Sequence, residues 1–282
     1  MSLNLTVNID KNSGFCFGVV EAINKAEKAL DEGVELYSLG DIVHNDEEIK
    51  RLKKKGIKII DKKALKNLKG NTVLFRAHGE PPEIYEMAKQ NNNIIIDASC
   101  SIIKKLQQKI KKSYDNNENI VIYGKTNHPE VVAINGQIDN KGIIIESIKG
   151  LDAEKLPGKF TLYSQTTQSL DGFYELVRFL EKAGKKVKIK DTVCRRVSNR
   201  RSQLEIFCTK YNKIVFVAGK RSSNGKVLYK VCRQVNPDTF FISNTKEIDT
   251  AWFKKNDTVG ISGATSTPKW LMEEVKNYLE QL

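Results

Sequence analysis

The chain has 282 residues, of which 40% are hydrophobic and 29% are charged, and its formal net charge at pH 7 is +13. These proportions are typical of a globular protein with a hydrophobic core. No apolar run approaches the roughly 18–20 residues that a membrane-spanning helix needs, which excludes a helical membrane protein. Residues 1–12 lack the charged-then-apolar pattern of a secretory signal. We therefore expect a cytoplasmic protein whose five cysteines are thiols or metal ligands rather than disulfides.

The excess of positive charge indicates an anionic partner. Many lysines alternate with apolar residues at helical spacing, as in residues 50–55 and 104–112. This spacing is typical of the solvated face of an amphipathic helix. No combination of aromatic and basic residues typical of a nucleic-acid-binding motif accompanies the lysines. We therefore predict that neither nucleic acid nor a membrane is a partner.

Strands and helices alternate along the chain in three stretches of similar length. Residues 1–96 predict strands at 3–9, 35–39, 57–60 and 73–75 and helices at 19–30, 46–55 and 83–90. The second stretch predicts strands at 94–96, 120–123, 143–145 and 160–163 and helices at 102–114, 129–135 and 169–183. The third predicts strands at 187–189, 214–217, 239–242 and 258–261 and helices at 198–208, 226–235 and 268–280.

This alternation predicts mostly parallel sheets built from βαβ units. The fold class is therefore α/β, with three pseudo-repeated units at residues 1–96, 97–190 and 191–282. In such sheets, ligands bind outside the carboxyl ends of the strands. We therefore expect the functional residues to lie in the loops that follow the strands.

Three cysteines recur at equivalent places in the three units. Cys16, Cys100 and Cys194 each follow a strand or turn and open a helix, with steps of 100−16 = 84 and 194−100 = 94 residues. The N-terminal end of a helix favours a thiolate. Three converging thiolates suit zinc with one open position, or an iron–sulfur cluster with one iron that lacks a protein thiolate. By contrast, Cys208 and Cys232 lie inside helical patterns and are predicted to be core residues.

Hydrogen-bond donors for an anion collect in the loops that follow the strands. All three histidines lie there, and the loops align, since 44−40, 128−124 and 223−219 all equal four. Imidazolium, hydroxyl and amide groups are suitable donors to phosphate oxygens. The donors so placed are His44, His78, Ser222, Ser223, Asn224 and Ser266. The sequence thus predicts a phosphate pocket built from side chains.

One carboxyl group lies in the same set of loops. Glu130 comes two residues after His128, and a carboxyl beside a ligand anion tends to keep its proton, which suits a general acid. The pair Thr166 and Thr167 offers hydroxyls to relay or orient that proton. Glu80 and Asp41 are alternative acids, which we expect to be surface or capping residues.

With these residues in place, the sequence resembles the 4-hydroxy-3-methylbut-2-enyl diphosphate reductase (LytB) family over essentially its whole length. The motifs that carry the resemblance are Gly-Phe-Cys at 14–16, Val-His-Asn at 43–45, Arg-Ala-His-Gly at 76–79, Asp-Ala-Ser-Cys at 97–100, Asn-His-Pro-Glu-Val at 127–131, Ser-Gln-Thr-Thr at 164–167, Cys194 with Asn199-Arg200, Ser-Ser-Asn at 222–224 and Gly-Ala-Thr-Ser-Thr-Pro at 263–268. The resemblance implies a trefoil of the three units around one 4Fe–4S cluster. Cys16, Cys100 and Cys194 would hold three irons, and the fourth iron would be open.

The resemblance also implies a reaction and its residues. The reaction would be reductive dehydroxylation of an allylic diphosphate to isopentenyl and dimethylallyl diphosphate, with ferredoxin or flavodoxin as electron donor. Glu130, with Thr166 and His128, would supply protons. The substrate would contact His44, His78, His128, Thr166, Ser222, Ser223, Asn224 and Ser266. The chain departs from the family at Ser101, at Ala133 and in the basic stretch 195–197, without losing a ligand or an acid.

Two other functions suit the same residues. A zinc hydrolase of phosphate esters would use the same three cysteines, and a brown protein with iron–sulfide absorption would exclude it. A redox-sensing protein that binds nucleic acid would use a cluster as a switch. That protein would bind duplexes with a steep salt dependence and would not turn over substrate.

Overall fold

The computed structural model describes residues 2–282, except for the side chain of Ser223, which lies outside the described set. The strands are β1 (Thr6–Ile9), β2 (Leu36–Leu39), β3 (Lys58–Ile60), β4 (Thr72–Phe75), β5 (Ile94–Asp97), β6 (Ile120–Tyr123), β7 (Ile143–Ile145), β8 (Lys159–Ser164), β9 (Lys186–Lys190), β10 (Lys213–Val217), β11 (Thr239–Ile242) and β12 (Thr258–Gly263). No helix of the described chain is long and apolar enough to cross a membrane.

The helices connect these strands. They are α1 (Phe17–Asp31), α2 (Asp46–Lys54), α3 (Lys62–Asn67), α4 (Pro82–Gln90), α5 (Ser101–Asp115), α6 (Pro129–Gly136), α7 (Leu170–Lys182), α8 (Arg195–Ser198), α9 (Arg200–Cys208), α10 (Ser223–Val235) and α11 (Lys269–Glu280). Short 3-10 turns lie at Ala153–Lys155, Thr245–Glu247 and Thr250–Trp252.

The strands form three sheets of four strands with one common order. The orders are β1-β12-β10-β11, β5-β4-β2-β3 and β9-β8-β6-β7 when each is read from the strand that precedes a cysteine. The pairs at the cysteine end, β1 with β12, β4 with β5 and β8 with β9, are parallel. The predicted fold class, α/β with three parallel-sheet units, is therefore confirmed.

The chain divides into two compact units. The terminal unit comprises Met1–Asp31, Asp41–Lys58 and Asn199–Leu282, and the central unit comprises Glu32–Gly40 and Ile59–Ser198. The first strand, β1, pairs with β12, so the sheet formed by the last third of the chain also contains the first strand. The boundaries at 96/97 and 190/191 stay predictions.

Each sheet is covered by helices whose apolar residues recur every three or four positions. In the central unit, α7 buries Phe173, Leu176, Val177 and Leu180 against β6 and β8. In the terminal unit, a core cluster joins side chains of β1, β10 and β12 to α11. This one-sided burial explains why short, polar-faced helices are stable here.

The structure differs from the sequence prediction in the helices near the third cysteine. The helix predicted at 198–208 is two helices, α8 and α9, separated at Asn199. The helix predicted at 226–235 begins three residues earlier, at Ser223, because the Ser222 hydroxyl accepts the Gly225 N–H at 3.0 Å and caps it. The helix α3, capped by Asp61, was not predicted at all.

A buried carboxylate ties α2 to α11 in the terminal unit, and we expect it to contribute to stability. Glu48 is fully buried and accepts hydrogen bonds from Arg51 and, at 2.6 Å, from the Trp270 indole N–H. Removing this donor with Trp270→Phe should lower the free energy of unfolding by about 1–3 kcal/mol, as for other bonds to charged groups. Urea denaturation measures the change. Tyr278→Phe on the same helix, which removes an exposed hydroxyl, is the control and should change it by less than about 0.5 kcal/mol.

Candidate functional site

The three cysteines occupy equivalent places in the structure as well as in the sequence. Each follows a strand at the edge of its sheet and precedes α1, α5 or α8. Each cysteine N–H donates to a carbonyl two residues beyond the end of the neighbouring strand. The bonds run from Cys100 to Ala77 (3.0 Å), from Cys194 to Thr166 (2.8 Å) and from Cys16 to Thr265 (3.4 Å). The repeat therefore extends to the backbone bonds of the three cysteines.

The side chains at these three positions suit metal binding. Cys16, Cys100 and Cys194 are half-buried, and none of the cysteines in the described chain forms a disulfide. Cys208 and Cys232, by contrast, are buried in one hydrophobic cluster. A hydrogen bond between the two thiols, together with burial, raises the pKa of Cys232. These two cysteines are core residues, as predicted, whereas the other three present thiols at helix N-termini.

Among residues 2–282, no three His, Cys, Asp or Glu side chains form a group that could hold a metal ion. The assignment of Cys16, Cys100 and Cys194 as ligands rests instead on their donor chemistry. Three thiols at matched loop positions fit an iron–sulfur cluster or zinc. The set of ligands therefore stays a prediction.

The predicted acid is held in a closed environment. Glu130, in the first turn of α6, is 1% exposed. Its Oε1 accepts the Thr166 N–H at 2.6 Å, and its Oε2 accepts the Thr166 hydroxyl at 2.8 Å. Burial raises the pKa of Glu130 to about 7, and the two bonds from Thr166 oppose this rise. A carboxyl with this pKa exchanges protons readily at neutral pH.

Two predicted histidines lie close to this acid. His128 caps α6, and its Nδ1 accepts the Glu130 N–H at 3.2 Å. The rings of His78 and His128 meet edge to face with their centroids 5.6 Å apart. The central unit therefore places His128 beside Glu130 and His78 beside His128, and both histidines can donate hydrogen bonds to an anion.

The alternative acids differ from expectation. Glu80 is 4% exposed rather than at the surface, because it pairs with Arg76 at 3.2 Å. Burial raises the pKa of Glu80, although Arg76 opposes this. No hydroxyl relay in the described chain contacts Glu80, so Glu130 remains the better candidate. Asp41 is half-buried and pairs with Arg221 at 3.4 Å.

The terminal unit brings together the remaining donors. The hydroxyls of Ser222 and Ser266 are 3.2 Å apart, and the Asn224 amide donates to Thr265 at 3.1 Å. The loop of His44 lies against Gly219, where an added Cβ would lie 2.5 Å from the His44 carbonyl oxygen. Only glycine permits this approach. The predicted Ser223 side chain lies outside the described residues.

Sequence reasoning missed two features of the terminal unit. The Nδ2 of Asn45, which follows His44, is buried without a hydrogen-bond partner among the described residues, so it is a further donor for an anion. Arg200 is buried and pairs with Asp10 at 2.7 Å and with Ser262 at 2.6 Å. Asp10 directly follows β1 in the stretch that leads to Cys16, so this pair anchors that stretch. The sequence showed Arg200 as part of a family motif, but it did not indicate the pairing with Asp10.

Known proteins resemble this chain over its whole length. Residues 7–280 match the family described as LytB protein. The 4-hydroxy-3-methylbut-2-enyl diphosphate reductase of Parabacteroides distasonis is 47% identical and covers 99% of this chain and 98% of its own. The reductase of the same name from Bacteroides fragilis is also 47% identical, with 97% of each chain covered.

Solved structures give the same result. A structure of (E)-4-hydroxy-3-methyl-but-2-enyl diphosphate reductase, described as the terminal enzyme of the non-mevalonate pathway, superposes with a TM-score of 0.80 at 32% identity, covering 98% of this chain and 99% of its own. The E-1-hydroxy-2-methyl-but-2-enyl-4-diphosphate reductase of Plasmodium falciparum has a TM-score of 0.82 at 28% identity, covering 99% and 88%. The resemblance seen in the sequence is confirmed, and the chain belongs to the LytB protein family.

Proposed function

We propose that this chain reduces 4-hydroxy-3-methylbut-2-enyl diphosphate to isopentenyl diphosphate and dimethylallyl diphosphate. One set of contacts carries the proposal. The Thr166 N–H and hydroxyl bind Glu130, while the Thr166 carbonyl accepts the N–H of Cys194. One residue thus joins a buried acid to the backbone of a predicted cluster ligand. The reductase activity predicted from the sequence is confirmed by relatives of that name that match almost the whole chain.

Cys16, Cys100 and Cys194 would hold the cofactor. When bound, a 4Fe–4S cluster with an open fourth iron would supply one-electron transfer and Lewis acidity toward the allylic oxygen. The backbone bonds to Ala77, Thr166 and Thr265 fix the three cysteine N–H groups. The backbone at all three cysteines is thereby held in equivalent positions.

Glu130 and Thr166 supply the protons of the reaction. The reaction consumes two electrons and two protons and releases one water. With a pKa of about 7, Glu130 is protonated in a large share of molecules at neutral pH and can donate through the Thr166 hydroxyl. One proton leaves with the substrate hydroxyl as water, and the other goes to an end of the allyl group. Which end receives it decides which of the two products forms.

The family resemblance assigns the diphosphate to donors in the repeated loops. The donors of the terminal unit are His44, Ser222, Ser223, Asn224 and Ser266, and Asn45 is an added amide donor. The donors of the central unit are His78, His128 and Thr166. Ferredoxin or flavodoxin as electron donor and a cytoplasmic location stay predictions.

Loss of single anion donors should raise KM more than it lowers kcat. Ser266→Ala removes a hydroxyl that contacts only Ser222 in the described structure, and His44→Ala removes an imidazole. A lost bond to a charged ligand costs about 1.5–3 kcal/mol, or roughly 10–100-fold in KM. Steady-state kinetics under anaerobic conditions measure this, with Ser202→Ala on α9 as the matched control. If neither variant changes KM, the diphosphate binds elsewhere.

The proposed function is tested by anaerobic turnover of the substrate together with visible spectroscopy and iron and sulfide analysis. We expect a brown protein with about four irons per chain that forms both products when a chemical reductant is supplied. If the protein instead binds zinc and hydrolyses phosphate esters, the proposed function is wrong and the protein is a zinc hydrolase. If the protein binds nucleic-acid duplexes and does not turn over the substrate, it is a redox sensor.

A further inference from the structure

A basic cavity lies in the central unit next to the loop that leads to Cys194. It has a volume of about 360 Å³, and its lining includes Lys109, Lys112, Lys188, Lys190, Asp191 and Thr192. Lys188 pairs with Glu118 at 2.6 Å. The other three lysines form no ion pair within residues 2–282. The cavity therefore presents uncompensated positive charge to solvent.

The cavity lies close to the proposed cluster ligand. Thr192 precedes Cys194 by two residues, so their Cα atoms are within about 8 Å of each other. Beyond Cys194 the chain continues with Arg195 and Arg196, both exposed. Arg195 is held by Asp191, whereas Arg196 forms no ion pair within the described chain. Positive charge thus flanks the cysteine on both sides.

The lysines come from two elements at one edge of the sheet. Lys188 and Lys190 lie on β9, which pairs with β8 and forms one edge of its sheet. Residues two apart on a strand share a face, so these two lysines lie on the same face of β9. Lysines also protect edge strands from pairing, but that role does not explain Lys109 and Lys112, which come from α5.

We propose that this surface docks an acidic one-electron carrier protein. The surface, here called the Cys194 basic face, is defined by Lys109, Lys112, Lys188, Lys190 and Arg196. The inference rests on the proposed function, which needs two electrons per turnover. A one-electron carrier must therefore dock twice, and each docking oxidises one reduced carrier. Opposite charges speed such encounters, and a site near Cys194 shortens the path of the electron.

Single-stranded nucleic acid fits the face less well. Such ligands need exposed aromatic rings on which bases stack. The one aromatic residue in the lining, Tyr163, is 1% exposed, and its hydroxyl is bonded to Ser113 and to the Lys109 carbonyl. A carboxylate-rich protein surface needs only the lysines for complementary charge.

The test compares two double charge reversals of equal size. Lys112→Glu/Lys190→Glu changes the Cys194 basic face, and Lys63→Glu/Lys66→Glu changes exposed lysines on α3. Binding of an oxidised acidic ferredoxin is measured by calorimetry at low ionic strength. We expect the dissociation constant to rise roughly 10-fold or more in the first variant and to stay unchanged in the second. The salt dependence of binding should also flatten only in the first.

Turnover separates this inference from the proposed function. With sodium dithionite as reductant, both variants should match the unmodified protein, whereas with reduced ferredoxin the first should be slower. Equal ferredoxin binding by both variants would overturn the docking surface. The surface would also be overturned if the first variant lost binding to single-stranded RNA but kept binding to ferredoxin. If the unmodified protein fails with dithionite, the proposed function fails, and the binding comparison still decides whether the face docks an acidic carrier.

Discussion

Cys16→Ser, Cys100→Ser and Cys194→Ser should each lose most of the bound iron and nearly all turnover. A serine hydroxyl is a much poorer ligand for iron than a thiolate, since soft sulfur ligands select iron–sulfur clusters. Loss of an outer-shell partner alone costs about 10–100-fold in metal affinity or activity, and loss of a ligand should exceed that. Iron and sulfide analysis after anaerobic reconstitution, with the visible spectrum, measures the result.

The chain contains its own control for this result. Cys208 and Cys232 are buried side by side in the terminal unit and lie in no repeated loop. Cys208→Ser and Cys232→Ser should therefore keep the cluster, although the buried hydroxyl should lower the free energy of unfolding by about 1–3 kcal/mol. Circular dichroism before reconstitution shows whether each variant is folded. Equal iron loss from a folded Cys208→Ser protein would contradict the assignment of the three ligands.

The periodicity of the chain predicted the parts of the fold that depend on local pattern. It predicted the alternating elements, the parallel sheets and the helix after each of the three cysteines, because each of these follows from the pattern of neighbouring residues. The pairing of β1 with β12 could not be predicted in this way, because it joins residues about 250 positions apart. The buried pair of Asp10 and Arg200 was missed for the same reason.

Within the candidate site, sequence predicted residue types but not environments. Glu130 was identified by its position two residues after His128 in the sequence. Its burial and its two bonds to Thr166 depend instead on the packing of the loop after β8 against α6. For Glu80 the expected environment was wrong. It was expected to be a surface or capping residue, but it is buried, and its contact with Arg76 explains how the carboxylate is accommodated there.

Glu130→Gln should keep the cluster and bind substrate nearly normally, while turnover falls by about 10²–10⁴, as is typical for loss of a general acid. Glutamine has the size of protonated glutamic acid. Its amide oxygen can accept the Thr166 N–H, and its NH₂ can donate to the Thr166 hydroxyl. The variant therefore preserves the contacts of the neutral acid but cannot deliver a proton. Anaerobic kinetics with a chemical reductant, together with iron analysis, measure both properties.

The pH dependence of stability gives an independent measurement on the same variant. Glu130 is protonated in both states below its ordinary pKa of 4.5, and the folded state holds the proton up to about pH 7. Stability should therefore fall by about 3 kcal/mol as pH rises through that window, because the unfolded state alone releases the proton. Glu130→Gln should lack this fall and be at least as stable as the unmodified protein at pH 8.

A purely structural role for Glu130 predicts the opposite sign. A carboxylate in the first turn of a helix interacts favourably with the helix dipole, so its loss would lower stability by about 0.3–1 kcal/mol and leave turnover intact. Glu83 follows Pro82 at the start of α4 as Glu130 follows Pro129 at the start of α6, but it is exposed. Glu83→Gln therefore reports the dipole effect alone. If Glu130→Gln behaves like Glu83→Gln, with full iron content and normal turnover, Glu130 leaves the mechanism and the proton must come from His128 or Thr166.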